Sequence, residues 1–206
     1  GFGDAGTTAQ SCLQPDGYVA EASDCDDASA ATFPGAAPQD GLDDCMKDAD
    51  EDDWGDATPP PGVVPGTDCD DNDFGANPDS VWYADADGDG YGDPGLTQTV
   101  CLRPAGYVTD GTDCDDTSPT AAVTFPGAAP NDSAAACMKD ADGDDWGDAT
   151  PPAGVTAGTD CDDDPSTGFP THPGAAPKDD PAACMTDVDG DDWGEQSPAA
   201  GVVAGT

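Results

Sequence analysis

An acidic loop occurs four times in the chain, at 48–56, 85–93, 140–148 and 187–195, and it limits the fold more than any other sequence feature. Every copy has a carboxylate at positions 1, 3, 5 and 9 and an aromatic residue at position 7. This is the beginning of a calcium-binding loop, in which the residue at position 7 contributes its backbone carbonyl. Because the pattern keeps a fixed phase in all copies, it predicts cation binding rather than a solvated run of charge.

The rest of a coordination shell must come from outside the loop. A hard cation needs about 6–8 oxygen ligands, and position 12 of the second loop is Leu96 instead of a bidentate Glu. The predicted source is a DCDD segment, which occurs at 23–27, 67–71, 112–116 and 159–163. We therefore predict that a loop and the DCDD segment after it are two halves of one site. The predicted metal ligands are Asp24, Asp26, Asp27, Asp48, Asp50, Asp52, Trp54, Asp56, Asp68, Asp70, Asp71, Asp85, Asp87, Asp89, Tyr91, Asp93, Asp113, Asp115, Asp116, Asp140, Asp142, Asp144, Trp146, Asp148, Asp160, Asp162, Asp163, Asp187, Asp189, Asp191, Trp193 and Glu195.

The net charge excludes several classes of partner. The chain has 45 acidic and 4 basic residues, so its formal net charge is −41. Nucleic acids and anionic membrane surfaces would repel it, whereas cations would relieve the self-repulsion that opposes a compact fold. Calcium is favoured over magnesium because a cage of protein oxygens suits the larger, geometrically less demanding ion. We expect roughly one or two calcium ions in each repeat.

The cysteines predict disulfides and an oxidising, extracellular location. A chain with 27 Gly, 21 Pro and only three Met needs staples in place of a large core. Pairing in sequence order gives spacings of 13, 24, 13 and 24 residues and leaves Cys184 over. A shifted scheme, which begins with Cys25–Cys45, leaves Cys12 unpaired instead and is also compatible with the sequence. The pairs of the first, preferred scheme are Cys12–Cys25, Cys45–Cys69, Cys101–Cys114 and Cys137–Cys161.

The predicted fold class is mostly irregular, with elongated tandem calcium-binding repeats, disulfide staples, short β-strands and Pro-rich turns at the PGAAP motifs. Strands are expected at 80–84, 97–102 and 106–109. No apolar period long enough for a helix is present. The repeats divide the chain into segments 1–38, 39–79, 80–130, 131–177 and 178–206. The first segment has no complete loop and the last has no DCDD segment, so we expect the chain to start and stop within its own repeat.

Two features of the loops lead to further predictions. The aromatic residue at position 7 is expected to pack against the Phe that follows a DCDD segment, namely Phe74, Phe125 or Phe169. Position 6 is a glycine only at Gly90, and the other loops have Asp there. Since Asp tolerates the left-handed backbone less well than Gly, those loops are expected to turn differently or to use the extra carboxylate on a second ion.

The sequence offers no catalytic residues. His172, the single histidine, is interpreted as a surface residue in a Pro-rich turn, and no base lies beside a Ser or Cys. We therefore expect the chain not to be an enzyme. Asn131 begins an Asn-Asp-Ser glycosylation sequon and is a candidate for a covalent glycan.

Together these motifs resemble the bacterial family of MopE-type metal-binding repeats. The family pattern is a DADGDGYGD loop, a Cys-x-x-Pro-x-Gly-Tyr-Val segment, a DCDD segment and a PGA turn, and residues 85–130 contain all four. The chain is also similar to thrombospondin type 3 repeats, in which strings of Asp wrap calcium with almost no secondary structure and disulfides link successive repeats. The resemblance implies part of a large secreted or surface protein from a bacterium.

The sequence thus predicts an extracellular structural protein, a calcium-stabilised repeat rod in a filament, fibril or surface stalk. Its expected partners are calcium ions and further repeats, arranged head to tail or in one continuous chain, with no nucleic acid and no membrane span. One alternative is a calcium-dependent adhesive or dockerin-like module that binds a protein or glycan. It needs an exposed aromatic face outside the loops, for which Trp82 is the candidate. Another alternative is the spacer of a larger secreted enzyme.

Overall fold

The computed structural model describes residues 3, 6–117 and 119–206. Most of these residues are irregular, and the regular structure consists of short strands in small sheets. This confirms the predicted low content of secondary structure. No helix in the described ranges is long and apolar enough to cross a membrane. Residues 1–4 match residues 90–93 of the second loop in sequence, but apart from Gly3 they lie outside the described residues.

The chain divides into two compact units. The first unit consists of Gly1–Trp82 and Gln98–Pro104, and the second of Tyr83–Thr97 and Ala105–Thr206. Within the described ranges there are nine strands and a single short 3₁₀-helix, η1. The elements are β1 (Thr32–Pro34), β2 (Cys45–Lys47), β3 (Val81–Ala84), β4 (Asp93–Thr99), β5 (Tyr107–Val108), η1 (Ala121–Val123), β6 (Thr124–Pro126), β7 (Cys137–Lys139), β8 (Thr171–Pro173) and β9 (Cys184–Thr186).

Three antiparallel hairpins, β1–β2, β6–β7 and β8–β9, share one register. Each places the proline of a PGAAP motif opposite a cysteine: Pro34 pairs with Cys45, Pro126 with Cys137 and Pro173 with Cys184. The motif makes the expected turn, and its glycine has a positive φ in every copy, 83° at Gly127 for example. The flanking strands were not predicted, because three residues are too few to show an alternation of apolar and polar side chains.

Each hairpin encloses a very small core. The three methionines at the centres of β2, β7 and β9 are 4%, 1% and 2% exposed, and the alanines Ala37, Ala129 and Ala176 are fully buried. The first residue of β1, β6 and β8 is a buried threonine. Burial of one methionine stabilises a fold by only about 1.5–3 kcal/mol, so these cores are too small to hold the chain without other staples.

The remaining sheet has the strand order β4-β3-β5. β3 pairs with β5 through Tyr83 opposite Val108 and Ala84 opposite Tyr107, which confirms the strands predicted at 80–84 and 106–109. The strand predicted at 97–102 was misplaced, because β4 begins at Asp93, the last residue of the acidic loop, and ends at Thr99. Trp82 in β3 is 5% exposed, and its indole N–H donates to the Val100 carbonyl at 2.8 Å.

The disulfides follow the shifted scheme, so the preferred pairing was wrong. Cys12 is an exposed free thiol, and Cys184 is bonded. The hairpins are the physical reason: the sulfur of Cys114 lies 3.6 Å from the Thr124 carbonyl in β6, beside the strand that begins at Cys137. The DCDD cysteines Cys25, Cys114 and Cys161 are thereby placed next to the following hairpin, whereas Cys69 bonds to Cys101, after β4. The bonds are Cys25–Cys45, Cys69–Cys101, Cys114–Cys137 and Cys161–Cys184.

The observed disulfides connect other parts of the chain than the predicted pairing does. Each one joins a DCDD segment to the cysteine that comes next in sequence, over 20, 32, 23 and 23 residues, and not to the loop before it. Closing loops of this length removes unfolded-state entropy worth about 3–4 kcal/mol each. Four disulfides also indicate a non-reducing, extracellular environment.

The pairing can be tested by mapping thiols in the oxidised protein. We expect a maleimide to modify a single cysteine under denaturing, non-reducing conditions, and the modified peptide to contain Cys12. Protease fragments should then remain linked through Cys114 and Cys137 until a reductant is added. Modification of Cys184 in place of Cys12 would contradict the pairing.

Candidate metal centres

Backbone N–H groups shape each acidic loop by donating to its own carboxylates. In the 140–148 loop, Asp140 accepts from the backbone N–H of Gly143 at 2.7 Å and from that of Asp145 at 3.0 Å. At position 5, Asp144 accepts from the N–H of Trp146 at 2.8 Å. The other loops have equivalent bonds. These local bonds wind the chain so that the side chains at positions 1, 3 and 5 face one point.

Position 6 of every loop has the left-handed backbone that this turn requires. φ is 97° at Gly90 and 75°, 73° and 71° at Asp53, Asp145 and Asp192. The expectation that the loops with Asp turn differently was therefore wrong. The carbonyl of Asp145 accepts from the N–H of Asn131 at 3.0 Å, which helps to hold the residue in this conformation.

Five groups of three carboxylates have oxygens within 4.8 Å of one another in the part of the chain that the structure describes, and each could hold a metal ion. Four are the loop triads at positions 1, 3 and 5, and the fifth combines a loop residue with a DCDD segment. The groups are Asp48–Asp50–Asp52, Asp85–Asp87–Asp89, Asp87–Asp113–Asp116, Asp140–Asp142–Asp144 and Asp187–Asp189–Asp191.

Several of these oxygens are buried without a hydrogen-bond donor. Asp113 and Asp144 are only 6% and 9% exposed, and the Oδ2 atom of each has no partner. Unpartnered buried carboxylate oxygens are rare in folded proteins because desolvation of the charge is not compensated. A bound cation would supply the missing partner. The atoms concerned are both oxygens of Asp50 and the Oδ2 atoms of Asp87, Asp89, Asp113, Asp116, Asp142 and Asp144.

The structure brings the loops and the DCDD segments together. Asp116 accepts from the backbone N–H of Ala86, inside the preceding loop, at 2.9 Å. Asp113 uses Oδ1 to accept from the N–H of Cys114 at 2.6 Å and leaves Oδ2 for the group. In the 131–177 segment, Asp163 accepts from the N–H of Ala149, one residue after the loop, at 3.3 Å.

Other predicted ligands are occupied elsewhere. Asp148, at position 9, forms an ion pair with Lys139 through Oδ2 and accepts from the N–H of Ala141 through Oδ1 at 3.0 Å. Asp56 has the same two kinds of partner. The second Asp of a DCDD segment accepts from the backbone N–H two residues later at Asp26, Asp115 and Asp162. For Asp162 the donor is the N–H of Asp164, at 3.4 Å. Residues 24–27 join none of the groups found among the described residues.

Burial, with added repulsion between the converging charges, raises the pKa of several carboxyls well above the ordinary value. Burial, followed by repulsion from Asp160, Asp142 and Asp140, raises the pKa of Asp144 to about 7, although the Trp146 N–H acts in the opposite direction. Burial is also the largest cause at four further carboxyls, whose pKa values rise to about 6: Asp68, Asp89, Asp142 and Asp163. The cation-free centres therefore oppose folding at neutral pH.

In three segments an aspartate that was not predicted connects the loop to a threonine after it, and this threonine begins the DCDD segment at Thr67 and Thr159. Asp132 accepts from the N–H of Gly147 at 3.0 Å, from the N–H of Thr159 at 2.9 Å and from the Thr159 hydroxyl at 2.7 Å. Burial opposes its ionisation, but the bonds from Thr159 and Gly147 outweigh burial and lower its pKa. Asp40 and Asp179 have the same role. The signal was present in the sequence, since each of these aspartates is the second residue after PGAAP.

Glycines permit this close contact between loop and DCDD segment. Gly158 donates to the Asp148 carbonyl at 2.9 Å, and the N–H of Asp160 donates to the Gly147 carbonyl at 3.0 Å. A Cβ atom on Gly158 would overlap the carbonyl of Gly147. Glycine is therefore required at position 158, because no side chain fits between the two backbones there, and a Cβ atom on Gly147 would meet the Met138 side chain at 2.8 Å.

The aromatic residue at position 7 stacks in two of the centres. Tyr91 lies on Phe125 with ring centroids 5.4 Å apart, as predicted. Trp146 stacks on His172 at 6.2 Å, whereas Phe169 is 61% exposed, so that prediction was wrong for the second pair. His172 is half-buried in the centre of β8, opposite Met185, and is not a residue of a surface turn.

We expect Asp132→Ala to lower the free energy of unfolding by about 2 kcal/mol, because three donors lose a charged acceptor. Urea unfolding of the oxidised protein in calcium is the measurement. Asp43→Ala, which removes the same charge from an exposed side chain, is the control and should change little. Equal effects of the two substitutions would contradict the role given to Asp132.

The raised pKa values predict how stability depends on pH when a chelator removes cations. Since the pKa of Asp144 rises from 3.8 to about 7, the folded chain binds more protons than the unfolded chain between these values. The favourable contribution of this group is present below pH 3.8 and is lost as the pH rises through 7. Urea unfolding should therefore show lower stability at pH 8 than at pH 5, and Asp144→Asn should reduce the difference. A stability that increases from pH 5 to pH 8 would contradict this.

Comparisons with known proteins identify no relative. No family model, no curated protein and no solved structure matches the chain. The resemblance to MopE-type and thrombospondin type 3 repeats therefore stays a prediction from the motifs. The inference of function rests on the carboxylate geometry, the disulfides and the charge of this chain.

Proposed function

We propose that the chain is a calcium-stabilised structural protein of the extracellular space, a segment of a filament, fibril or surface stalk. The observation that carries the proposal is the convergence of buried carboxylate oxygens without donors, as at Asp113 and Asp144. A cation at these points would compensate desolvated charge and connect chain segments that are distant in sequence. Calcium binding would then be part of folding itself.

The donor set favours calcium. All five groups consist of aspartates, so the available ligands are hard oxygens, without a histidine or a thiolate. Magnesium usually keeps several of its waters and binds through one or two carboxylates, whereas calcium accepts crowded protein oxygens with flexible geometry. The raised pKa of Asp144 agrees with a centre whose negative charges would be compensated by a divalent cation.

The structural role follows from how little else holds the chain. The hairpin cores contain one methionine each, and a net charge of −41 opposes compaction. Ions and disulfides would then carry the stability. The elongated, tandem arrangement is part of the proposal and is supported by the DCDD cysteines, which recur 44, 45 and 47 residues apart. Further repeats would continue the rod, in one chain or head to tail.

The adhesive alternative has weaker support. It requires an exposed aromatic face outside the loops, and Trp82, its candidate, is buried with its N–H bonded to Val100. Asn131 is exposed and keeps its role as a glycosylation candidate, which the intact mass of the protein from its source would test.

Calcium removal and return test the proposal. We expect the oxidised protein, stripped by a chelator and dialysed against calcium, to take up roughly one or two ions per loop and to decrease in hydrodynamic radius. Equilibrium dialysis and light scattering measure the two quantities. Asp144→Asn should lower the number or the affinity of bound ions, and Asp43→Asn should not. An unchanged radius without ion uptake would overturn the proposal.

A further inference from the structure

Two kinds of centre differ in which carboxylate accepts from the N–H at loop position 2. In the 80–130 segment the N–H of Ala86 donates to Asp116 of the DCDD segment at 2.9 Å. In the 131–177 segment the N–H of Ala141 donates to Asp148 of the loop itself, at 3.0 Å. The 39–79 segment follows the second pattern. The backbone N–H at loop position 2 therefore bonds either to a carboxylate of the DCDD segment or to a carboxylate of the loop itself.

A lysine immediately before the loop distinguishes the two kinds. Lys139 and Lys47 occupy this position in the second kind, and Ala84 occupies it in the 80–130 segment. The Lys139 ammonium forms an ion pair with Asp148, and the two side chains are only 12% and 6% exposed. A pair this well shielded from water holds Asp148 against the amide of Ala141.

Without the lysine, a second group of carboxylates forms. Asp116, on the amide of Ala86, lies with Asp87 and Asp113 in a group whose oxygens are within 4.8 Å of one another. Asp113 is 6% exposed, and its Oδ2 atom, like those of Asp87 and Asp116, has no donor. Asp87 belongs to the loop triad as well. Among the described residues, neither lysine-containing segment has such a second group.

We propose that the lysine before the loop sets the number of cations in each centre. The 80–130 segment binds two divalent cations that share Asp87, one in the loop triad and one between Asp87, Asp113 and Asp116. The 39–79 and 131–177 segments bind one each, and the lysine ammonium takes the place of the second. This inference rests on the proposed cation in the loop triads and adds the stoichiometry of each centre.

Charge and chemistry support the replacement of the second divalent ion by a lysine ammonium. Lysine carries a compact, strongly hydrated point charge on a flexible stem, so it can neutralise a carboxylate at the edge of a loop. Held there covalently, it repels a second divalent ion from the same space. With the lysine present, both oxygens of Asp148 are occupied. Oδ2 pairs with the Lys139 ammonium, and Oδ1 accepts from the N–H of Ala141.

Reciprocal substitutions test the proposal by counting ions. The full oxidised chain is stripped with a chelator and reloaded with calcium, and native mass spectrometry counts the bound ions. Lys139→Met and Lys47→Met should each bind one ion more than the unmodified chain, and Ala84→Lys should bind one fewer. Arg103→Met is the matched control for charge, because Arg103 is exposed and lies outside the loops and the DCDD segments. It should leave the number unchanged.

The outcomes separate this inference from the proposed function. If the unmodified chain binds no calcium, the proposed function fails and the inference with it. If the unmodified chain binds calcium but Ala84→Lys keeps the same number, the inference alone is overturned. An unchanged number in both Lys139→Met and Lys47→Met overturns it as well, and two lysine variants guard against misfolding of one. A gain in the lysine variants together with a loss in Ala84→Lys supports it.

Discussion

Repulsion between converging carboxylates is the physical constraint on which the rest of the structure depends. Oxygens within the loop triads, and between Asp87 of one loop and its DCDD segment, lie within 4.8 Å of one another, and several are buried without a donor. Backbone N–H groups satisfy one oxygen of many of these side chains and aim the other inward. The pKa of Asp144, raised to about 7 by burial and its neighbours, shows the cost of this geometry without a cation. A divalent ion bound among these oxygens would turn the same geometry into a source of stability.

The hairpins and disulfides follow from that constraint, since a chain of this charge cannot rely on apolar burial. Each hairpin buries one methionine and a few small residues. Its register places a cysteine beside the preceding DCDD segment, and the bond between them limits how far the charged segments can separate. Asp132 adds a non-covalent connection by bonding to the loop and to the DCDD segment together. Covalent and hydrogen-bonded connections thus hold the carboxylates near one another.

Similar loop sequences acquire different surroundings in different segments. Lys139, immediately before its loop, neutralises Asp148 at position 9 of that loop. The 80–130 segment has Ala84 in the corresponding position and therefore no positive charge there. The stacking partner of the loop aromatic changes as well, from Phe125 to His172. A motif that repeats in sequence therefore does not guarantee identical sites, because residues just outside it decide how much carboxylate charge is left for a cation.

The sequence by itself determined the features that depend on local spacing. Aspartates at every second residue, followed by a residue with positive φ, form the loop triads wherever they occur, and the PGAAP motif makes its turn through Gly127 and its equivalents. The strands β3 and β5 were predicted from their apolar residues. Each of these features is fixed by residues close in the chain, so its physical cause is visible in the order of amino acids.

Only the tertiary structure decided which distant residues meet. Both cysteine schemes are compatible with the sequence, and the hairpin register selected the one that pairs Cys114 with Cys137. Asp148 was predicted as a ligand from its place in the loop, but it forms an ion pair with the largely shielded ammonium of Lys139. Asp132 reaches Thr159, 27 residues later, and no local pattern predicts that contact. Such contacts depend on how hairpin, loop and DCDD segment pack together. Local spacing in the sequence does not determine this packing.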